Sequence, residues 1–224
     1  MRISSPARPE PVCLPARGAG GIVSAARWEW RWVDEGLPVA RALLGLPPGT
    51  APQVTEETYL VSVNSPHNVK IRGGVLDVKR ICQVAEDGLE LWCPTLQAPF
   101  PLASDDLSEV CDAWGVPLPR PLPAAVDLRG FLRGVVPQLT AVRRVDLIKH
   151  RSRITAQGCA GEVVALEIRG ERWMSLAFED ANPDVVHEAL RSLGLASRTN
   201  LSYPAALKRV LGLPRSLQSS KGVR

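Results

Sequence analysis

Residues 27–32 read Arg-Trp-Glu-Trp-Arg-Trp, a strict alternation of charge and aromatic ring. As an extended strand this stretch puts Arg27, Glu29 and Arg31 on one face and Trp28, Trp30 and Trp32 on the other. The two faces make opposite demands. Three large rings need a packed layer behind them, whereas a file of charges needs water, counter-charges or an anionic ligand in front. An edge strand with solvated charges satisfies both, and so does a strand whose charged face looks into an enclosed site.

The alternation recurs down the chain. Thr55–Val63 reads as a strand by its β-branched and aromatic content. Val69–Ile81 reads as a hairpin about Gly73-Gly74, with Lys70 and Arg72 sharing one face and Asp77 and Lys79 the corresponding face of the return strand. Leu89–Trp92 is a further short strand. In the second half, Asp146–Thr155 aligns Lys149, Arg151 and Arg153. Glu162–Ile168 sets Val163, Ala165 and Glu167 against Val164, Leu166 and Ile168, and Arg172–Glu179 sets Met174, Leu176 and Phe178 against Ser175, Ala177 and Glu179. Gly158 and Gly170 mark the turns of this meander. Helices are expected over 34–46, over Ser104–Trp114 with Ser104 as cap, from the Asn182-Pro183-Asp184 start to Gly194, and over Tyr203–Leu211. A helix over 126–139 is interrupted by Gly130, Gly134 and Pro137.

Residues 1–24, rich in Pro and Gly, are expected to form a flexible leader and residues 213–224 a basic tail, with a single domain over 25–212 whose halves meet at a proline-spaced linker near 116–124. The net charge of +4 favours anionic partners without naming one. Five widely spaced cysteines with no CxxC pair point to reduced thiols, and so to neither a disulfide framework nor a zinc site. No run approaches the roughly 18 apolar residues of a spanning helix, and no secretory h-region is evident. A cytoplasmic protein without a membrane partner is expected.

Eight alternating strands can expose their charged faces to solvent or close into a barrel that turns them inward beneath flanking helices. The shared charged face carries eight bases (Arg27, Arg31, Lys70, Arg72, Lys79, Lys149, Arg151 and Arg153) against four acids (Glu29, Asp77, Glu167 and Glu179). Solvated faces are usually better balanced, and arginine's planar fork suits phosphate oxygens.

The segment RWEWRWV resembles the opening ExExK strand of the CYTH, or triphosphate tunnel metalloenzyme, superfamily, with Arg27, Glu29 and Arg31 at its three signature positions. VKIR followed by LDVK is similar to that family's LRIR hairpin and lysine strand, IKHRSRI to its later Lys-x-Arg strand, EVVALEI to its acidic strand, and TNLSYPAALKRVLG to its closing Ser-Tyr helix. The ordered set spans about residues 25–212. The resemblance implies an α+β fold: an antiparallel eight-stranded tunnel-like β-barrel with flanking helices, basic side chains on a triphosphate and acids on Mg²⁺ or Mn²⁺. It implies phosphate contacts by Arg31, Lys70, Arg72, Lys79 and Arg151, then Lys149, Arg153 and Arg27, and metal contacts by Glu29, Glu167 and Glu179.

The chain also departs from that pattern. Arg27 replaces the first signature acid, and a guanidinium cannot ligate a cation. Ser175 and Ala177 stand where paired acids belong, unless a register two residues later brings Glu179 there. Three readings follow: a metal-dependent triphosphatase, or secondarily a nucleotidyl cyclase, acting on a triphosphate or nucleotide; a degenerate non-catalytic binder of such polyanions; and an RNA or protein scaffold with an exposed basic sheet. His67 and His150 are not expected in catalysis. Trp28, Trp30, Trp32 and Trp92 read as core, and Tyr203 as packing for its helix.

Overall fold

The structure, a computed structural model, describes residues 17–18, 25–34, 52–121 and 124–214. The expected helix over 34–46 and most of the leader and tail lie outside the described residues, as does Cys13. In chain order the strands are β1 (Arg17–Gly18), β2 (Arg27–Asp34), β3 (Gln53–Ser62), β4 (Asn68–Arg72), β5 (Val75–Val84), β6 (Glu90–Pro99), β7 (Leu102–Ala103), β8 (Ala125–Val126), β9 (Val142–Ala156), β10 (Cys159–Ile168) and β11 (Glu171–Asp180). The helices are α1 (Ser104–Trp114), α2 (Pro183–Ser192) and α3 (Tyr203–Val210). An irregular helical stretch, Leu128–Gln138, passes from α through π to 3-10 geometry.

Eight of the strands form one continuous ladder, β6-β2-β11-β10-β9-β3-β4-β5, and β5 pairs back onto β6 to close it. Every pairing in this ring is antiparallel. The fold is therefore the closed eight-stranded antiparallel barrel with flanking helices that the sequence implies. β1 adds a two-residue parallel pairing to Leu96–Gln97, so part of the expected leader is extended chain on the barrel. Gly73 and Gly74 turn the β4–β5 hairpin at φ +56° and +74°, the region glycine adopts without steric cost.

The barrel's two faces carry different chemistry. On the outside, Leu60, Val69, Ile71, Leu76 and Val78 pack under α1 and the irregular helix, with Trp114 and Phe131 as the large buried rings. Trp30, Leu176 and Phe178 pack under α2, flanked by Trp28 and Trp32. The tryptophan face thus meets a helical coat. Burying such side chains contributes roughly 1.5–3 kcal/mol each.

The inside is divided along the barrel axis. At one end Val33, Val61, Val145, Leu147, Val164, Leu166 and Ile168 pack against Tyr203, Ala206 and Leu207 of α3, forming a solid apolar plug. Toward the other end the same inward registers become charged: Val33 gives way to Arg31, Leu147 to Lys149, and Val164 to Glu162. Hydrogen bonds across β2 bring α3 into place. The Arg31 backbone N–H donates to Asn200 Oδ1 at 2.7 Å, and the Leu201 N–H donates to the Arg31 carbonyl at 2.7 Å.

Two expectations change. Ser104 does not cap α1; Ala103 occupies that position, and its N–H is held by the Asp106 carboxylate at 2.9 Å. Cys82 and Cys93 are disulfide-bonded, Cα to Cα 6.1 Å, because the closing β5–β6 pairing sets Cys93 opposite Arg80 and the irregularity between Ile81 and Gln83 leaves Cys82 nearby. Cys111 and Cys159 are buried free thiols.

Candidate functional site

The charged half of the interior surrounds a cavity of about 530 Å³. Seven basic side chains line it: Arg31 from β2, Lys70 and Arg72 from β4, Lys79 from β5, and Lys149, Arg151 and Arg153 from β9. Each comes from a strand whose alternation turns every second residue inward, which is why residues far apart in sequence meet here. Arg27 is exposed and does not line the cavity. Glu29 and Glu179 line it, side by side on paired strands.

Glu167 does not. The inward face of β10 is the one bearing Val164, Leu166 and Ile168, so Glu167 points outward and is exposed. The inward acid of β10 is Glu162, one end of a row that continues as plug. Ser175 and Ala177 do face inward on β11, and the Ser175 hydroxyl accepts from Arg31 at 2.8 Å.

A chain of ion pairs crosses the cavity floor. Arg31 reaches Glu29 at 2.9 Å and Glu162 at 3.0 Å, and Glu162 holds Arg151 Nε at 2.8 Å. Arg151 continues to Glu57, 3.5 Å away. Glu57 is the hub. Its Oε2 meets Lys149 at 2.9 Å and Lys70 at 3.4 Å, while its Oε1 meets Arg151 at 3.5 Å and Arg72 at 3.8 Å. Burial opposes ionisation of Glu57, but Lys70, Lys149 and Arg151 outweigh it and hold the carboxyl down at about 2. Glu162 is likewise lowered, against burial, by Arg31 and Arg151.

Two tyrosines form the base of the cavity. Lys149 Nζ donates to the Tyr59 hydroxyl at 2.8 Å, and the centre of the Tyr203 ring lies 3.9 Å from Lys149 Nζ and 4.0 Å from the Arg31 guanidinium carbon. Such cation–ring contacts compensate part of the lost hydration. Burial, then the charge on Lys70, pushes Lys149 down to about 7 against the pull of Glu57. Lys70 is lowered for the same leading reason.

The wall formed by β6, β2 and β11 is acidic. Glu90, Glu29 and Glu179 occupy one cross-strand row, Glu29 being paired to both neighbours. Burial, then Glu29, pushes the Glu90 carboxyl up to about 7, while Trp92 Nε1 donates to it at 3.2 Å. Trp92 is buried, as its sequence pattern implies, and it also lines the cavity. Among the described residues no three carboxylates, imidazoles or thiols converge in an arrangement that could hold a metal ion.

His67 lies outside this site; its Nδ1 accepts from the Ile81 N–H at 3.1 Å, and burial, then Arg80, pushes it down to about 4. His150 is an exposed residue on the outer face of β9.

Glu57, Glu162 and Glu90 are not evident as site residues from the sequence. For Glu57 the available signal was its two-residue spacing from Tyr59, and for Glu162 its two-residue spacing from Val164. Glu90 becomes visible only once β6 is known to pair with β2.

No protein-family model matches the sequence, and neither does any curated protein. Among solved structures, the chain is similar to a candidate adenylate cyclase from Bacillus halodurans, at 11% identity over 81% of this chain and 95% of that one, TM-score 0.43. It is also similar to a candidate adenylyl cyclase from Hippeastrum with a dominant triphosphatase activity, at 13% identity over 87% and 92%, TM-score 0.37. Both likenesses are weak, and the fold stands on the strand ladder itself.

Proposed function

We propose that this chain is a divergent CYTH-type protein whose cavity binds a triphosphate, free or as part of a nucleotide. One observation carries the reading: seven basic side chains from four strands converge on a single enclosed space inside a closed barrel. The basic residues face that space instead of an open sheet, which speaks against an RNA or protein scaffold built on exposed charge. Arginine supplies forked donors for phosphoryl oxygens, and Lys79 and Arg153 line the cavity with no acid at ion-pair distance among the described residues.

For hydrolysis, the row Glu90, Glu29 and Glu179 would hold the Mg²⁺ or Mn²⁺ that the resemblance implies. The fit is that of one ion retaining waters. Glu90 and Glu29 stand in register and the Glu29 charge helps raise Glu90, yet Glu29 is already tied to Arg31 and, among the described residues, three donors do not converge. Bound there, the ion supplies neutralisation of phosphoryl charge and orientation of water. The chain's own contribution is positional: Arg72, Lys79, Arg151 and Arg153 grip the phosphates, and Lys149 stands at the base of the cavity.

Non-catalytic binding is the second reading. It is favoured by the exposed Arg27 in place of the first signature acid and by Ser175 and Ala177 on the inner face of β11.

Calorimetry with tripolyphosphate tests the binding: wild type is expected to bind, and Arg72→Ala to lose about tenfold or more. An unchanged Arg72→Ala overturns the reading. Magnesium-dependent phosphate release that disappears in Glu29→Gln supports hydrolysis, and its absence in wild type supports the second reading.

A further inference from the structure

The two oxygens of Glu57 are held unequally. Oε2 takes the close contact with Lys149 and the one with Lys70, whereas Oε1 meets Arg151 and Arg72 only at 3.5 and 3.8 Å and accepts no hydrogen bond. The Glu57 side chain is fully buried beneath the cations that line the cavity, while that of Arg72 is 40% exposed. All four cations line the cavity, but the lysines hold the carboxylate at the shorter distances and the arginines only loosely. Arg151 has a stronger partner in Glu162, and Arg72 has a second loose one in Asp77 at 3.6 Å.

From this asymmetry, and resting on the reading of the cavity as a polyphosphate site, the geometry points to Glu57 as an internal competitor for the ligand: a fixed carboxylate from which an incoming polyanion must draw Arg72 and Arg151. An anion that engages Lys79 and Arg153, which no acid among the described residues holds, pays nothing to Glu57. A chain of phosphates reaching the floor recruits the two arginines and also meets the field of a buried negative charge. Glu57 thus weakens deep, multiply charged ligands more than single phosphates, and it sets how readily a multiply charged product leaves. It is a specificity-determining residue that acts through the arginines without touching the ligand.

Titration of Glu57→Gln and Glu57→Asp with tripolyphosphate and with inorganic phosphate, beside wild type and Arg72→Ala, tests this. Glu57→Gln is expected to bind tripolyphosphate on the order of tenfold more tightly than wild type, while phosphate changes by less than about threefold. Glu57→Asp keeps the charge and draws the carboxylate back by one methylene; it is expected to fold, and to shift tripolyphosphate affinity the same way by a smaller factor, so it decides the matter if Glu57→Gln does not fold. A role limited to holding the basic residues in place predicts weaker binding of both anions, and that result, or an equal change for both, overturns the proposal. Failure of the cavity reading is a different outcome: wild type then shows no tripolyphosphate binding that depends on Arg72.

Discussion

Glu29 and Glu90 stand directly opposite each other on β2 and β6, two carboxyls in register, Glu29 lining the cavity and Glu90 beside it. Burial and this pairing raise Glu90 from 4.5 to about 7. A raised acid contributes stability that is complete below the unfolded value and is lost as pH climbs through the folded one. Glu90→Gln removes that loss. Urea denaturation should find the variant close to wild type near pH 4 and more stable by about 1–2 kcal/mol near pH 8. A gap of equal size at both pH values contradicts the assignment.

Lys149 gives the opposite sign. Its value falls from 10.5 to about 7, so between those limits the unfolded chain carries a proton that the folded chain lacks, and folding stability rises with pH across that window. A polyanion above the lysine favours its charged form. Tripolyphosphate binding should therefore take up a proton near pH 8 and weaken as pH rises through about 7. Calorimetry in buffers of differing ionisation enthalpy should register this uptake in wild type and find it reduced in Lys149→Met.

Arg151 joins Glu162 to Glu57, and its side chain is 14% exposed. Arg151→Met leaves both acids short of a partner, and removing one member of a buried pair is costly. A loss of about 3 kcal/mol is expected from denaturant titration. Arg151→Lys should recover only part of it, because an ammonium cannot reproduce the guanidinium fork.

Gly161 is required by crowding. A Cβ there would lie 2.7 Å from two Phe178 ring carbons and 2.8 Å from the Ala177 carbonyl oxygen. Gly161→Ala should destabilise the barrel by about 1–3 kcal/mol and lower Tm by several degrees in a thermal melt.

Much of the fold is legible in the sequence because period-two alternation is unambiguous where both faces are chemically distinct. Arg27–Trp32 is such a case, and so is Lys149, Arg151 and Arg153. β10 shows where that logic stops. Its inward face begins with Glu162 and continues as Val164, Leu166 and Ile168, because the barrel is lined with charge at one end and filled with hydrocarbon at the other. Read alone, the strand's apolar face looks like an outer core face, and Glu167 is assigned to the interior in error. Glu57 follows Glu56, and one residue of register decides which of them is buried. Glu90 and the Cys82–Cys93 bond depend on β6 meeting β2 and β5, pairings that complete the ring and leave no local mark in the chain.

The plug of α3 has a consequence for traffic. With Leu207 and its neighbours stoppering one end, a guest of the proposed kind would enter and leave by the same door, tail last in and first out. A long polymer cannot be threaded through such a barrel. It can offer only its terminus, and each departure must clear the doorway before the next arrival.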